Sequence, residues 1–250
     1  MVSSRTRLFI TLLVLFLCSN GSAGEDHSNK LRVLFIGNSL TYTNDLPAIV
    51  EALARAERKS FISKSIAFPD FSLEDHWNQG DARKAISEGR WDIVVLQQGP
   101  SALPESRVLL RDYVRRFTSE IRRAGAKPAL YMVWPSVGRQ RDFDRVIESY
   151  KLAAEDVDAM LLPVGAAWVA ACKRDPRIAL YSGDGFHPTV LGSYLAALVV
   201  YEELCDASPE RLPRKLKIRS SALDHIKQTA QELETIRLAA RETIGQFRRR

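Results

Sequence analysis

Three side chains in this sequence have the types that acyl-transfer chemistry needs. Ser39 follows Gly37 and Asn38 at the end of an apolar run, "RVLFIGNSLT". Asp184 and His187 lie three residues apart in "SGDGFHPTVLGSYLAA". A serine hydroxyl is a poor nucleophile until a base accepts its proton, and the base needs a carboxylate to fix its tautomer. The late loop supplies both partners. Of the four histidines, His27 is near the N-terminus and His225 lies on a basic C-terminal stretch. His76, in "LEDHW", is the other candidate, but its neighbour Asp75 is poorly placed to orient it, and it reads as a helix-start or packing histidine beside Trp77. A Gly-x-Ser after a strand also has a plainer reading as a turn.

These residues need a frame to bring them together. Five β-like runs occur at 32–37, 61–68, 92–97, 127–134 and 159–164. The first, third and fifth are nearly continuous in apolar residues, as strands covered on both faces must be. Helical patterns lie between them, in "LPAIVEALARAERK", "ESRVLLRDYVRRFTSEIRRAG", "RDFDRVIESYKLAAEDV" and "TVLGSYLAALVVYEEL". The second ends at Gly125, a good C-terminal stop. Alternating strands and helices predict an α/β fold, a three-layer α/β/α domain with a doubly wound parallel sheet. In such sheets ligands bind beyond the carboxyl ends of the strands. Ser39 stands just past the first strand and faces that crevice. The next helix is expected near Asn44, leaving the Ser39 N–H free for a developing oxyanion. Pro188 suits the first turn of the last main-domain helix.

Other chemistries find less support. No Gly-x-Gly-x-x-Gly or P-loop lysine is present for a nucleotide. The histidines are scattered and no paired-cysteine motif exists, so neither metal nor other cofactor is expected. The adjacent carboxylates Glu74 and Asp75 carry little weight for glycosidase work.

The chain of 250 residues is 46% hydrophobic and 26% charged, which fits one globular domain with a substantial core. Arg5 and Arg7 precede the apolar run "LFITLLVLFL", which is too short to span a bilayer. Gly21 and Ala23 supply small residues for a signal peptidase, so residues 1–23 read as a secretory signal peptide and the mature chain as secreted or periplasmic. Leu17 before Cys18 is too bulky for lipidation. Cys172 and Cys205 form no disulfide framework and read as buried free thiols, with one bridge as the alternative. The net charge is +6. Residues 214–250 carry ten Lys or Arg against four Asp or Glu, so the excess belongs to the tail and not to the main domain at 30–213. Leu223, Ile226, Ala230, Leu233, Ile236, Ala240, Ile244 and Phe247 follow helical spacing there. The tail reads as an amphipathic helix packed on the domain or on a second copy. A basic amphipathic helix can also touch a membrane. Little aromatic interleaving argues against nucleic acid.

Taken together, "FIGNSLT" early and "DGFHP" late resemble the SGNH (GDSL-type) hydrolase superfamily, over roughly residues 32–205. "DHWNQG", "VVLQQGP", "PVGAAW" and "GSYLAA" add to the likeness, particularly to the branch with Gly-Asn-Ser in place of Gly-Asp-Ser. The resemblance implies a flavodoxin-like sheet of order 2-1-3-4-5 and a serine esterase mechanism without a metal, with Ser39, His187 and Asp184 as the triad. The middle motifs depart from the family. Where it has an oxyanion glycine after strand two, this chain has Pro69, Asp70 and Phe71; the Asp70 or Phe71 N–H is still available there, beside a carboxylate that opposes an oxyanion. Where it has Gly-x-Asn-Asp after strand three, this chain has "LQQGPSAL", with Ser101 at the asparagine position. Gln97 or Gln98 is expected to supply the missing amide, with Asn38 and Ser101 beside them at the substrate. The expected activity is hydrolysis of a carboxylic ester, with an O-acetyl carbohydrate as first choice. A lipid or lysophospholipid ester is the rival substrate. A binding protein of the cell envelope that kept the fold and lost efficient chemistry is the non-enzymatic alternative.

Overall fold

A computed structural model of the chain describes residues 30–207 and 228–249. The signal-peptide reading, Cys18, His27, Leu223, His225 and Ile226 lie outside the described residues.

Five parallel strands form one sheet: β1 (Lys30–Gly37), β2 (Ser60–Ala67), β3 (Ile93–Leu96), β4 (Lys127–Tyr131) and β5 (Met160–Leu162). Their order is β2-β1-β3-β4-β5. All pairings are parallel, with Phe35 opposite Ser65 on one side and Val95 on the other. The first and third runs become interior strands of the sheet, because a strand hidden on both faces has no room for polar side chains. The fifth run, read the same way, is instead the edge strand β5, with Met160 and Leu161 only half-buried. Val33 to Ile36 are 0% exposed, and Ile93 to Leu96 are at most 5% exposed. Each such side chain contributes about 1.5–3 kcal/mol relative to leaving it in water.

Nine helices are described: α1 (Ser39–Tyr42), α2 (Leu46–Ala56), α3 (Leu73–Gln79), α4 (Asp81–Glu88), α5 (Pro104–Arg123), α6 (Phe143–Glu155), α7 (Val164–Arg174), α8 (Val190–Leu204) and α9 (Ala230–Arg248). One group comprises α2 with α8 and α9, and the other α3, α4, α5 and α6, so the sheet is sandwiched between helical layers. Helix α5 stops two residues before Gly125, whose φ of 81° only glycine adopts freely. Trp134 and Trp168 stack at 3.8 Å in the core beneath the late loop.

The helix expected near Asn44 is α2, which starts at Leu46, but an unexpected turn precedes it. A one-turn helix starts at Ser39 itself, and Asn44 and Asp45 then take left-handed conformations that break it from α2. Asn and Asp tolerate that region better than most residues. The tail reading holds for its described part. Helix α9 buries Leu233, Ile236, Ala240 and Ile244 and packs on α7 and α8, so the stripe a bilayer would need is covered by the domain itself. Phe247 is half-buried and Ala230 is exposed at the helix start. Cys172 and Cys205 are free and half-buried. Among the described residues no helix is long and apolar enough to cross a membrane.

Candidate active site

Strand β1 delivers its last residue, Gly37, to the carboxyl edge of the sheet, and the chain turns at once into α1. Asn38 caps this helix, its Oδ1 accepting the Leu40 N–H at 3.1 Å. Ser39 is therefore the first helical residue, and its N–H has no intrahelical acceptor. Its hydroxyl sits in a nearly closed position, with the residue 8% exposed. Gly37 is required by close approach: a Cβ there would lie 2.3 Å from Gln97 Oε1 and 2.4 Å from Thr41 Oγ1.

The late loop forms the other half. His187 Nδ1 donates to Asp184 Oδ2 at 2.5 Å, which leaves Nε2 as the free ring nitrogen. Asp184 Oδ1 accepts from the Phe186 and His187 N–H groups at 2.9 Å each and from Ser182 Oγ at 2.8 Å. The Phe186 N–H, His187 and Ser182 together hold the Asp184 carboxyl far below its usual range. A carboxylate this well supplied stays ionised and keeps one imidazole tautomer.

Tertiary hydrogen bonds place this loop. Trp134 Nε1 donates to Phe186 O at 3.0 Å, the Val137 N–H to Gly185 O at 2.8 Å, and Tyr181 Oη to Pro135 O at 2.9 Å. These tie it to the chain leaving β4. The segment after Ser39 meets the same loop. Asn44 Nδ2 donates to Pro188 O at 3.1 Å and to Ser193 Oγ at 2.9 Å. The early serine segment and the late imidazole loop thus share one rim of the sheet, 144 residues apart in sequence between Asn44 and Pro188. Among the described residues no direct hydrogen bond joins Ser39 Oγ to His187. Such bonds are commonly long without substrate and tighten in the reacting complex.

The amides near β3 divide their roles. Gln97 Nε2 donates to Asn38 Oδ1 at 2.9 Å and to Gln98 O at 2.8 Å, so both its hydrogens are engaged. Its Oε1 accepts from the Asn38 N–H at 2.8 Å and from Thr41 Oγ1 at 2.7 Å. The expectation of Gln97 as an oxyanion donor is corrected on that ground: it holds the serine turn and has no N–H left over. Among the described residues Gln98 Nε2 donates once, to Ser101 Oγ at 2.9 Å, and one hydrogen stays uncommitted. Ser101 passes its own proton to Gly99 O at 3.0 Å and is only 6% exposed, so its hydroxyl braces Gln98. Asn38 Nδ2 donates to Phe71 O at 3.0 Å, joining the serine turn to the loop after β2.

That loop contains a feature the sequence reading missed. Asp70 has a φ of 59°, the left-handed conformation that a glycine would take without strain. The signal was present in "FPDF": proline presets the second position of a turn whose third residue is left-handed. The Phe71 N–H closes this turn weakly on Phe68 O at 3.4 Å. Among the described residues nothing accepts the Asp70 N–H. Its carboxylate is exposed, where water screens its charge.

His76 is a packing histidine, placed in mid-helix and not at a helix start. It is 0% exposed, and its Nε2–H donates to Gly37 O at 2.7 Å. Phe68 and Phe71 enclose the ring at 5.9 and 5.1 Å. Burial pushes its pKa down, so it is neutral. Asp75 faces Ser72 in a capping box instead of orienting the imidazole. Among the described residues no cluster of three or more His, Cys, Asp or Glu could hold a metal ion.

A strand-end serine, a carboxylate-held imidazole and a doubly wound sheet are the parts of an α/β serine hydrolase. No family model and no curated protein matches the chain. Solved structures do. A protein from Slackia heliotrinireducens assigned to the SGNH hydrolases superposes with a TM-score of 0.61 at 29% identity, over 70% of this chain and 100% of that one. A DUF4886 family protein from Bacteroides uniformis gives 0.69 at 19% identity, over 86% and 95%. A variant of an acetyl xylan esterase from Geobacillus stearothermophilus gives 0.55 at 16% identity, over 70% and 95%. The last two are likenesses of fold. The Slackia protein, at 29% identity, supports the SGNH hydrolase superfamily for this chain.

Proposed function

We propose that the protein is a serine esterase acting on carboxylic esters, of the SGNH branch with Gly-Asn-Ser at the nucleophile. The observation that carries this reading is the pairing of His187 Nδ1 with Asp184 Oδ2 on the rim reached by the Ser39 segment. Ser39 Oγ attacks the acyl carbon while His187 Nε2 takes its proton. The carbonyl oxygen becomes an oxyanion held by the Ser39 N–H, the Asp70 N–H and the uncommitted amide hydrogen of Gln98. His187 then gives its proton to the leaving alcohol as the C–O bond breaks. Water, deprotonated by the same nitrogen, attacks the acyl-enzyme and releases the acid and free Ser39. Each oxyanion donor contributes about 2.7–4 kcal/mol to the transition state.

O-Acetyl carbohydrate is the substrate class we favour. The cleft beside Phe186 includes Ser106, Ser136 and Arg139 in its lining, polar groups that a sugar's hydroxyls can use. The apolar leader at 1–23 supports export to a secreted or periplasmic location. The decisive experiment is fluorophosphonate labelling together with 4-nitrophenyl acetate hydrolysis by wild type and Ser39→Ala. We expect both signals in wild type and neither in the variant, with unchanged circular dichroism. Equal turnover by Ser39→Ala would end the proposal.

A further inference from the structure

A cleft of about 320 Å³ opens beside the His187 loop, between the chain leaving β3 and the chain leaving β4. Phe186, the neighbour of His187, forms part of its wall, with Leu103 and Pro135. Phe186 and His187 are in edge contact, their ring centroids 5.4 Å apart, so the cleft adjoins the residue that packs on the proposed base. The volume is at the low end for ligand pockets, fit for a small ring more than for a long chain.

The charge in this cleft has an unusual source. Asp142 is 1% exposed, yet it bears a carboxylate held between two arginines. Arg139 Nε donates to Asp142 Oδ2 at 2.7 Å, and Arg145 Nη2 donates to Asp142 Oδ1. These guanidiniums keep the Asp142 carboxyl below its ordinary range. One negative charge against two positive leaves a surplus of one. The arginine side chains are about half exposed, at 50% and 51%. Of the two, Arg139 lines the cleft. Because Asp142 engages its Nε, the two terminal nitrogens of Arg139 remain as a fork with fixed orientation. A guanidinium fork of this kind matches a carboxylate in a bidentate manner. Arg107, next to the lining residue Ser106, is already bound to Glu148 and Ser149.

We infer that this cleft is a subsite for a carboxylate-bearing sugar, a uronate residue of the acylated glycan, and that Arg139 determines the preference. The inference deepens the esterase reading and rests on it for turnover, although binding can be read without turnover. Phe186 would offer a face to the sugar ring and Arg139 a partner to its carboxylate, beside the bond to be cut. A neutral sugar or an acyl chain would leave the guanidinium without a matching charge.

The test compares acetylated oligogalacturonides with acetylated xylo-oligosaccharides. Wild type should show the higher kcat/KM on the acidic substrate, with a preference that weakens as salt is raised. In Arg139→Gln the ratio of acidic to neutral kcat/KM should fall about 10-fold or more, mostly through KM, as expected for a lost charge-assisted contact. Arg139→Lys should recover part of it. In parallel, oligogalacturonate is titrated calorimetrically into Ser39→Ala and into Ser39→Ala combined with Arg139→Gln. Affinity should drop about 10-fold or more between them. An unchanged ratio, or equal affinity in the titration, overturns the inference while leaving the esterase intact. Loss of 4-nitrophenyl acetate hydrolysis in wild type, with acidic-glycan binding retained and dependent on Arg139, overturns the esterase reading and leaves the subsite standing.

Discussion

Gln97 and Asn38 grip each other at two points: the Asn38 N–H donates to Gln97 Oε1 at 2.8 Å, and Gln97 Nε2 donates to Asn38 Oδ1 at 2.9 Å. The residue after Asn38 is the proposed nucleophile. The end of β3 therefore fixes the turn at the end of β1, and Thr41 adds a third contact at 2.7 Å. All three residues are buried, where an unpaired polar group is costly.

Gln97→Ala should lower stability by about 1–3 kcal/mol, since the Asn38 N–H and Thr41 Oγ1 lose a buried acceptor. It should also lower kcat by loosening Ser39. Gln98→Ala should also cost stability, since its Oε1 accepts the buried Leu73 N–H at 3.2 Å, but it should lower kcat more than Gln97→Ala does, because Gln98 keeps an amide hydrogen for the oxyanion. Urea midpoints and 4-nitrophenyl acetate kinetics read the two effects. A smaller kcat loss in Gln98→Ala than in Gln97→Ala would remove the division of roles.

Asp184→Asn should reduce kcat by about 10⁴-fold with little change in fold, because the amide no longer selects the tautomer with Nδ1–H. The Asp184 carboxyl titrates well below its ordinary value. It should therefore stay ionised across the working range, and no activity loss above pH 5 should trace to it. A pH–rate profile of wild type, set against that of Asp184→Glu, checks this.

His76 links α3 to the serine turn through Gly37 O at 2.7 Å. Its folded pKa lies below the ordinary value of about 6.5 because burial disfavours the cation. The unfolded chain then binds more protons as pH falls through 6.5, so this contribution is fully present above that value and declines below it. Wild type should lose more stability between pH 7 and 5 than His76→Phe. Urea midpoints across that range read the difference, and parallel curves would contradict it.

Glu202 on α8 is 3% exposed, and among the described residues its Oε1 has no hydrogen-bond partner. Burial raises its carboxyl to about 7, opposed by Arg241 and Arg248 of α9. Here the sign reverses: as pH rises from about 4.5 toward 7 the unfolded chain releases its proton first, and the folded state loses relative stability. Glu202→Gln should stabilise the protein at pH 8, by an amount on the order of 2 kcal/mol, and should make no gain at pH 4. Thermal unfolding at the two pH values decides it.

The sequence alone determined the five strands along the chain, the helices α2, α5, α6 and α8 and the described part of the tail helix, but not α1, α3, α4 or α7. Apolar runs and three-to-four spacing are local signals, and they survive into the fold because each element must bury the same face that the pattern displays. It also determined the Asp184–His187 pair, since three residues in a tight loop cannot lie far apart. The seam between Asn44 and the Pro188 segment came only from the tertiary structure. So did the reassignment of Gln97 from donor to clasp. A glutamine's four hydrogen-bond sites look identical in sequence, and which of them are taken depends on backbone atoms 59 residues away. The left-handed Asp70 lies between these cases, because Pro69 hinted at the turn while the N–H it frees depends on the neighbouring strands. The Arg139 fork was invisible for the same reason as Gln97. Its orientation depends on a buried aspartate whose burial is a property of the packed core, and no stretch of local sequence states how deep a residue will lie.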